Sequence, residues 1–227
     1  SAVIRIHRVP AVLQFCPTDA VGGKGSLRRR RFSWLSPDCA GGRVAVDYGA
    51  GGREMSHRFR LDRIDQVCVV VRDLETALAR YWTSLGVGPW RVYTFSAPIV
   101  RDMTYRGRPA DFAMRVAFAQ VGSLMLELLQ PLRGPSIYDE FLARCGEGLH
   151  HVGLYVPNLD RALQAAQAAG FAVLQSGRGY GLTGDGGFAY LDTEAQLGVI
   201  VELIEAPRQR RPPDFTYPPA GGSTEAG

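Results

Sequence analysis

Between residues 62 and 206 apolar side chains recur at every second position, then at helical spacing, then at every second position again, and this cycle occurs twice. Residues 64–71 (IDQVCVVV) are a strongly β-prone run. Asp73 follows as a helix N-cap, and Leu74, Leu78, Tyr81, Trp82 and Leu85 share a helical face until Gly86 and Gly88 stop the helix. Residues 90–95 read as a strand, and 96–112 as a loop or irregular hairpin. Two further strands, 114–121 and 124–129, flank Gly122 and Ser123. After a short helix over 136–144, closed by Gly146 and Gly148, the order repeats. Residues 150–156 are a strand, Asn158 or Asp160 caps a helix through Ala169, and Gly170 ends it. Strands over 171–175, 188–192 and 199–204 complete the second copy. The pattern predicts an α+β fold of two tandem βαβββ modules, 62–132 and 149–206, joined by a linker helix within 133–148.

The repeat is visible in the letters. QVCVVVRDLETAL (66–78) faces HVGLYVPNLDRAL (151–163) without gaps, matching Val67 with Val152, Val71 with Val156, Leu74 with Leu159 and Leu78 with Leu163. That offset is 85 residues, whereas Glu127 and Glu202 are 75 apart. The first module therefore holds about ten extra residues, and 96–112 is their natural place.

Composition sets bounds on the rest. Apolar residues make up 46% of the 227, enough for a sizeable core. No apolar stretch reaches the roughly 18 residues that would span a membrane. Cys16, Cys39, Cys68 and Cys145 are scattered without a CxxC pair, which argues against a zinc knuckle or disulfide scaffold and suits a cytoplasmic protein. The net charge of +4 is concentrated at one end: residues 1–54 hold nine basic and four acidic side chains, while the remainder is close to neutral. The Arg28–Arg31 run reads as part of a solvated leader, and the patterned region makes no electrostatic case for nucleic acid. We expect residues 1–61 to be a poorly structured extension, and the native chain to begin at Met55. The Pro/Arg-rich tail, 207–227, reads as extended or disordered, with Phe215 and Tyr217 able to tack it onto a surface.

Four polar residues interrupt the apolar strands. Gln66 shares a strand face with Ile64, Cys68 and Val70; Glu127 with Met125 and Leu129; Glu202 with Ile200 and Ile204. A lone carboxylate buried there would cost several kcal/mol or stay protonated. Two carboxylates at nearly equivalent places call for a shared cation. A divalent metal fits, with His151 as a nitrogen ligand and Gln66 as a neutral oxygen ligand. Strand alternation sends His150 and His151 to opposite faces, so one of them at most reaches the site.

The repeated modules and these motifs resemble the vicinal oxygen chelate superfamily, over residues 62–205. The resemblance implies a cupped mixed sheet and one metal held by Gln66, Glu127, His151 and Glu202. Within the superfamily, SIYDEFLARCGEGLHHVGLYV (136–156) and LMLELLQPL (124–132) are most similar to methylmalonyl-CoA epimerases. Gln66 departs from them, standing where they usually carry His, and the Gln/Glu/His/Glu set resembles zinc-type glyoxalase I. Extradiol dioxygenases need two histidines and a carboxylate on iron. Here His7 and His57 precede the modules, which argues against that branch.

The implied reaction is a 1,2-proton transfer beside a carbonyl or thioester, by an epimerase or isomerase acting on an acyl-CoA. Glu202 is the expected base and Glu127 its partner. Glyoxalase I activity on a glutathione hemithioacetal is the alternative, and a non-enzymatic binding or resistance protein the third. Zn, Ni, Co, Mn and Mg all suit the donor set, and a homodimer suits the apolar first-strand faces. The Gly-rich run 177–187 reads as a hairpin loop, with Arg178 able to meet a phosphate or carboxylate. The 96–112 loop, with Arg101, Tyr105, Arg106 and Arg108, reads as solvated, and a lid or substrate rim is its functional alternative.

Overall fold

Two copies of one topology meet along a pair of antiparallel strands. The computed structural model describes residues 59–219; the Arg28–Arg31 run, the start at Met55, most of the expected leader and the end of the tail lie outside the described residues. The first copy runs β1 (Gln66–Val70), α1 (Leu74–Leu85), β2 (Trp90–Phe95), β3 (Arg101–Tyr105), β4 (Arg108–Pro109), β5 (Ala113–Val121) and β6 (Leu124–Arg133). After α2 (Ile137–Cys145), the second runs β7 (Gly148–Tyr155), α3 (Leu159–Ala168), β8 (Val173–Tyr180), β9 (Gly186–Leu191), α4 (Glu194–Leu197) and β10 (Ile200–Glu205). β11 (Phe215–Tyr217) follows. These strands form one open mixed sheet in the order β11-β2-β5-β6-β1-β7-β10-β9-β8-β3-β4.

The register explains how the site is assembled. β1 runs parallel to β6, and β7 parallel to β10, so each module closes in the same way. β1 and β7 are antiparallel, with Val67 opposite its repeat partner Val152. A pseudo-twofold axis therefore passes between these two valines. One row across the sheet reads Glu127, Cys68, His151, Ile200, and the next reads Met125, Gln66, Gly153, Glu202. Residues in register share a face, so all four predicted site residues lie in adjacent rows on one side.

Helices α1 and α3 cover the other side, while α2 packs on the site's own face through Ile137, Tyr138, Phe141 and Leu142. Asp73 caps α1 by accepting from the Thr76 N–H at 2.7 Å, and Gly86 ends it at a φ of 64°. Leu74, Ala77 and Leu78 of α1 pack on Trp90, Val92, Ala117, Ala119 and Leu128. Leu159 and Ala166 of α3 pack on Ala189, Leu191, Val201 and Leu203. Each such leucine contributes about 1.5–3 kcal/mol of burial. Because Leu128 and Val201 face the helices, their neighbours Glu127 and Glu202 must face away.

The segment 96–112 is a hairpin that leaves its own module. β3 pairs with β4 and, across the molecule, with β8 of the second module. β8 runs to Tyr180, beyond its expected end at 175, paired with β3 as far as Arg178 and with β9 to Tyr180. Glu140, on α2, accepts from Tyr105 and from Arg106, whose Nη2 lies 2.5 Å away, so both side chains hold the hairpin onto α2. Arg178 pairs with Asp160, which assigns it a local partner. The Gly-rich run is a hairpin, its turn between β8 and β9.

The tail is a strap. Leu182 N–H donates to the Gln209 carbonyl at 2.9 Å on one side of the molecule, and Asp214 N–H to the Val92 carbonyl at 2.8 Å on the other. β11 then pairs with β2, putting Tyr217 opposite Trp90. Pro207 lies so close to Gly181 (φ 95°) that a Cβ there would come within 2.3 Å of the proline ring.

Candidate metal centre

The sheet floor gathers the four predicted residues into one cluster, each 5% exposed or less. Gln66 Nε2 donates to Glu127 Oε2 at 2.8 Å and to Glu202 Oε2 at 3.2 Å. His151 Nε2 lies 3.2 Å from both of the same carboxylate oxygens. Metal bonds of about 2.0–2.2 Å set neighbouring donor atoms about 3.0–3.4 Å apart, and these separations fall close to that range. Turning the Gln66 amide by half a revolution presents Oε1 at the same point. His151 Nε2 has no hydrogen-bond partner of good geometry although it is fully buried. An orphaned imidazole nitrogen facing two carboxylates and an amide is a donor set that a divalent cation fits.

His151 is held from behind by its neighbour. Its Nδ1 lies 2.8 Å from Nδ1 of His150, so one ring donates to the other. This corrects the expectation that the two point to opposite faces. Cys68 pairs with His151 and Val69 with Leu149, so His150 is an extra residue in β7, a bulge. The bulge breaks the alternation and brings both rings against Tyr190, with His150 also packed on Tyr138 and Phe141. Only Nε2 of His151 is aimed at the carboxylates. When Nδ1–H of His151 is the donor, Nε2 keeps its lone pair for a cation.

Electrostatics follow from burial and crowding. Burial pulls the His151 pKa down, but Glu202 and Glu127 outweigh it and push it up to about 9. Burial raises the Glu127 carboxyl above its ordinary value, His151 opposes the rise and Glu202 adds to it. Burial also holds His150 well below the usual imidazole range. Tyr138 and Tyr190, whose hydroxyls share a 2.9 Å hydrogen bond, are pushed up by burial first and by Glu202 second.

Sequence reasoning left Cys68 unassigned. It sits between Glu127 and His151 in its row, fully buried, with its sulfur and their ligand atoms within 4.8 Å of one another. Its two-residue spacing from Gln66 was the signal available. Burial, then Glu127, raises its thiol pKa, so it stands as a neutral group beneath the cup. The pseudo-twofold places Gly153 opposite it, where a Cβ would crowd Ile204, Gln66 and Glu202 at 2.8–3.3 Å. Gly153 therefore lets Ile204, Gln66 and Glu202 pack directly against the β7 backbone.

Above the donors lies a pocket of about 810 Å³, counted out to its open mouth. Tyr93, Phe95 and Phe118 come from the first module, and Tyr180, Phe188 and Tyr190 from the second. Phe95 and Tyr180 meet across the modules with ring centroids 5.4 Å apart. Tyr155 and the strap residues Arg210 and Arg211 border the mouth. The aromatic walls and strap residues also went unassigned in the sequence, because only the curvature of the sheet brings them over the cup.

Fold and site together define a class: proteins in which two βαβββ modules, joined back to back through their first strands, each give two polar side chains to one buried cup. The chain belongs to the Glyoxalase/Bleomycin resistance protein/Dioxygenase superfamily, whose model matches residues 65–190. Among named relatives, mitochondrial methylmalonyl-CoA epimerase of Mus musculus is 27% identical over 176 residues, covering 77% of this chain and 90% of the other. The uncharacterized protein YqjC of Bacillus subtilis is 27% identical over 145 residues, covering 64% and 93%. Similar solved structures include a hypothetical protein from Bacillus halodurans C-125, with a TM-score of 0.48 at 22% identity, covering 66% of this chain and 97% of that one. A Streptomyces coelicolor methylmalonyl-CoA epimerase in complex with 2-nitronate-propionyl-CoA has a TM-score of 0.46 at 22% identity, covering 67% and 100%. Among the described residues no helix is long and apolar enough to cross a membrane.

Proposed function

We propose that this chain is a metal-dependent epimerase that moves a proton at the carbon beside a thioester carbonyl, with an acyl-CoA such as methylmalonyl-CoA as substrate. The observation that carries the reading is the convergence of Gln66, Glu127, His151 and Glu202 at 2.8–3.2 Å, with Gln66, Glu127 and Glu202 lining the floor of an aromatic pocket. Kinship with epimerases 27–28% identical supports the choice of substrate class.

Those four side chains would hold a divalent ion, which would supply a Lewis acid for the carbonyl oxygen. The chain's own residues do the rest. Glu202 takes the α-proton, and Glu127, on the other side of the pseudo-twofold axis, stands ready to return one to the opposite face. The raised pKa of Glu127 brings a carboxyl closer to the range where it both accepts and gives a proton. The aromatic walls and the strap exclude water from the intermediate.

Protein incubated with methylmalonyl-CoA in deuterated water should incorporate deuterium at the α-carbon, and should carry about one divalent ion per chain. Absence of exchange in metal-loaded protein sinks the epimerase reading. Absence of any metal uptake sinks the enzyme reading and leaves a binding protein.

One residue favours a second reading. Gln66 supplies the donor set that resembles glyoxalase I, so isomerisation of a glutathione hemithioacetal is the parallel assay. Turnover there without thioester exchange selects it.

Proton competition provides an independent check on the cup. His151 rests near pKa 9, so at neutral pH a cation must displace its proton. Metal affinity should rise with pH until about pH 9, close to tenfold per unit, with about one proton released per ion. Calorimetric titration in buffers of different ionisation enthalpy measures this. A pH-independent affinity would mean that His151 is not a ligand.

A further inference from the structure

The floor of the pocket is acidic and its walls are aromatic, which leaves the charge of a substrate's remote end without a partner. Only the strap supplies one. Among the described residues, Arg210 and Arg211 are the only cationic side chains lining the pocket, and neither makes an ion pair there. Arg210 Nη2 instead lies 3.4 Å from the Tyr155 hydroxyl, which sits at the mouth. Asp214, further along the strap, is the one acid beside them outside the cup.

The strap is fixed where it matters. It is bonded to Leu182 before the arginines and to Val92 after them, and Pro207 is wedged against Gly181. Arg210 and Arg211 therefore hang from a short span tied to both modules, over the opening. A planar guanidinium with five donors suits a carboxylate or phosphate held in two-point contact. The pocket is thus bipolar, with the reacting carbonyl drawn to the floor and negative charge drawn to the mouth.

We infer that Arg210 and Arg211 bind an anionic group of the substrate at the mouth of the pocket. The inference rests on the reading of this pocket as a substrate site. Two sources of anion share this chemistry: a carboxylate on the acyl group and the phosphates of the CoA carrier.

The test is calorimetric binding of malonyl-CoA and propionyl-CoA to metal-loaded wild-type protein and to the R210Q R211Q double variant. Loss of the two guanidinium contacts should weaken malonyl-CoA binding roughly tenfold or more. A loss confined to malonyl-CoA assigns the arginines to the acyl carboxylate, and an equal loss with propionyl-CoA assigns them to the phosphates. Either result supports the inference. R210K R211K should recover part of the affinity, whereas a purely structural strap would respond to neither charge nor its restoration. Unchanged affinity for both ligands in the glutamine variant, or no binding by wild type, overturns the inference. Metal content should stay the same in every variant, which separates mouth from floor. The α-exchange assay keeps this result apart from the epimerase reading. Exchange with unaltered KM in the glutamine variant defeats only the arginines, while arginine-dependent binding without exchange defeats only the epimerase.

Discussion

Exchanging Glu202 for glutamine should lower the turnover of α-proton exchange by about 10²–10⁴-fold, the range associated with loss of a general base. The substitution keeps the shape of a side chain that is 5% exposed and packed beside Gly153, so the fold should survive. It removes the charge that attracts a cation and replaces a basic carboxylate oxygen with an amide oxygen too weakly basic to take the proton. Glu202→Ala should go further and empty the cup, since it deletes one of two carboxylate oxygens that lie 3.2 Å from His151 Nε2. Metal analysis and exchange rate must be read together. Retention of both in the glutamine variant would make Glu202 a spectator and move the base to Glu127.

His151→Ala should cost the metal-free protein about 3–5 kcal/mol, the scale for removing one partner from a buried charge cluster. Glu127 and Glu202 would then face each other beneath an aromatic pocket without a cation. Denaturant unfolding of the apo-protein measures the loss, and the double variant with Glu202→Gln should restore part of it. The folded pKa of His151, about 9, lies above its ordinary value of 6.5. Its contribution is therefore full below pH 6.5 and disappears as pH rises through about 9. A stability that ignored both the substitution and this window would show the carboxylates to be protonated and the imidazole neutral.

The regular parts of the fold were legible because their physics is local. Period-two runs marked the module strands, Asp73 and Asn158 marked the starts of α1 and α3, and Gly86 marked an end. Gln66, Glu127, His151 and Glu202 stood out because apolar strands rarely tolerate polar side chains. What escaped depends on partners distant in sequence. Nothing within 96–112 reveals that β3 joins the sheet edge of the other module. The bulge at His150 exists only in the pairing of β7 with β1. Arg210 and Arg211 read as part of an extended or disordered tail until Leu182 and Val92 tie the strap down. Glu140 and Glu147, acids outside the strands, each anchor a neighbour distant in sequence: Glu140 holds Tyr105 and Arg106, and Glu147 accepts the Arg72 N–H at 2.8 Å.

The axis between Val67 and Val152 bears on stereochemistry. A twofold rotation carries the Glu127 side of the cup onto the Glu202 side, so in the proposed reaction a planar intermediate lying across it would meet one carboxylate on each face. Inversion at carbon asks for that placement, and a duplicated module supplies it without a separately evolved second base. Yet the two sides are not interchangeable, because the axis exchanges a cysteine for a glycine. The re and si faces of the intermediate would therefore rest on different floors, a sulfur on one side and bare, closely packed backbone on the other, and the two epimers would enter the same cup by inequivalent doors.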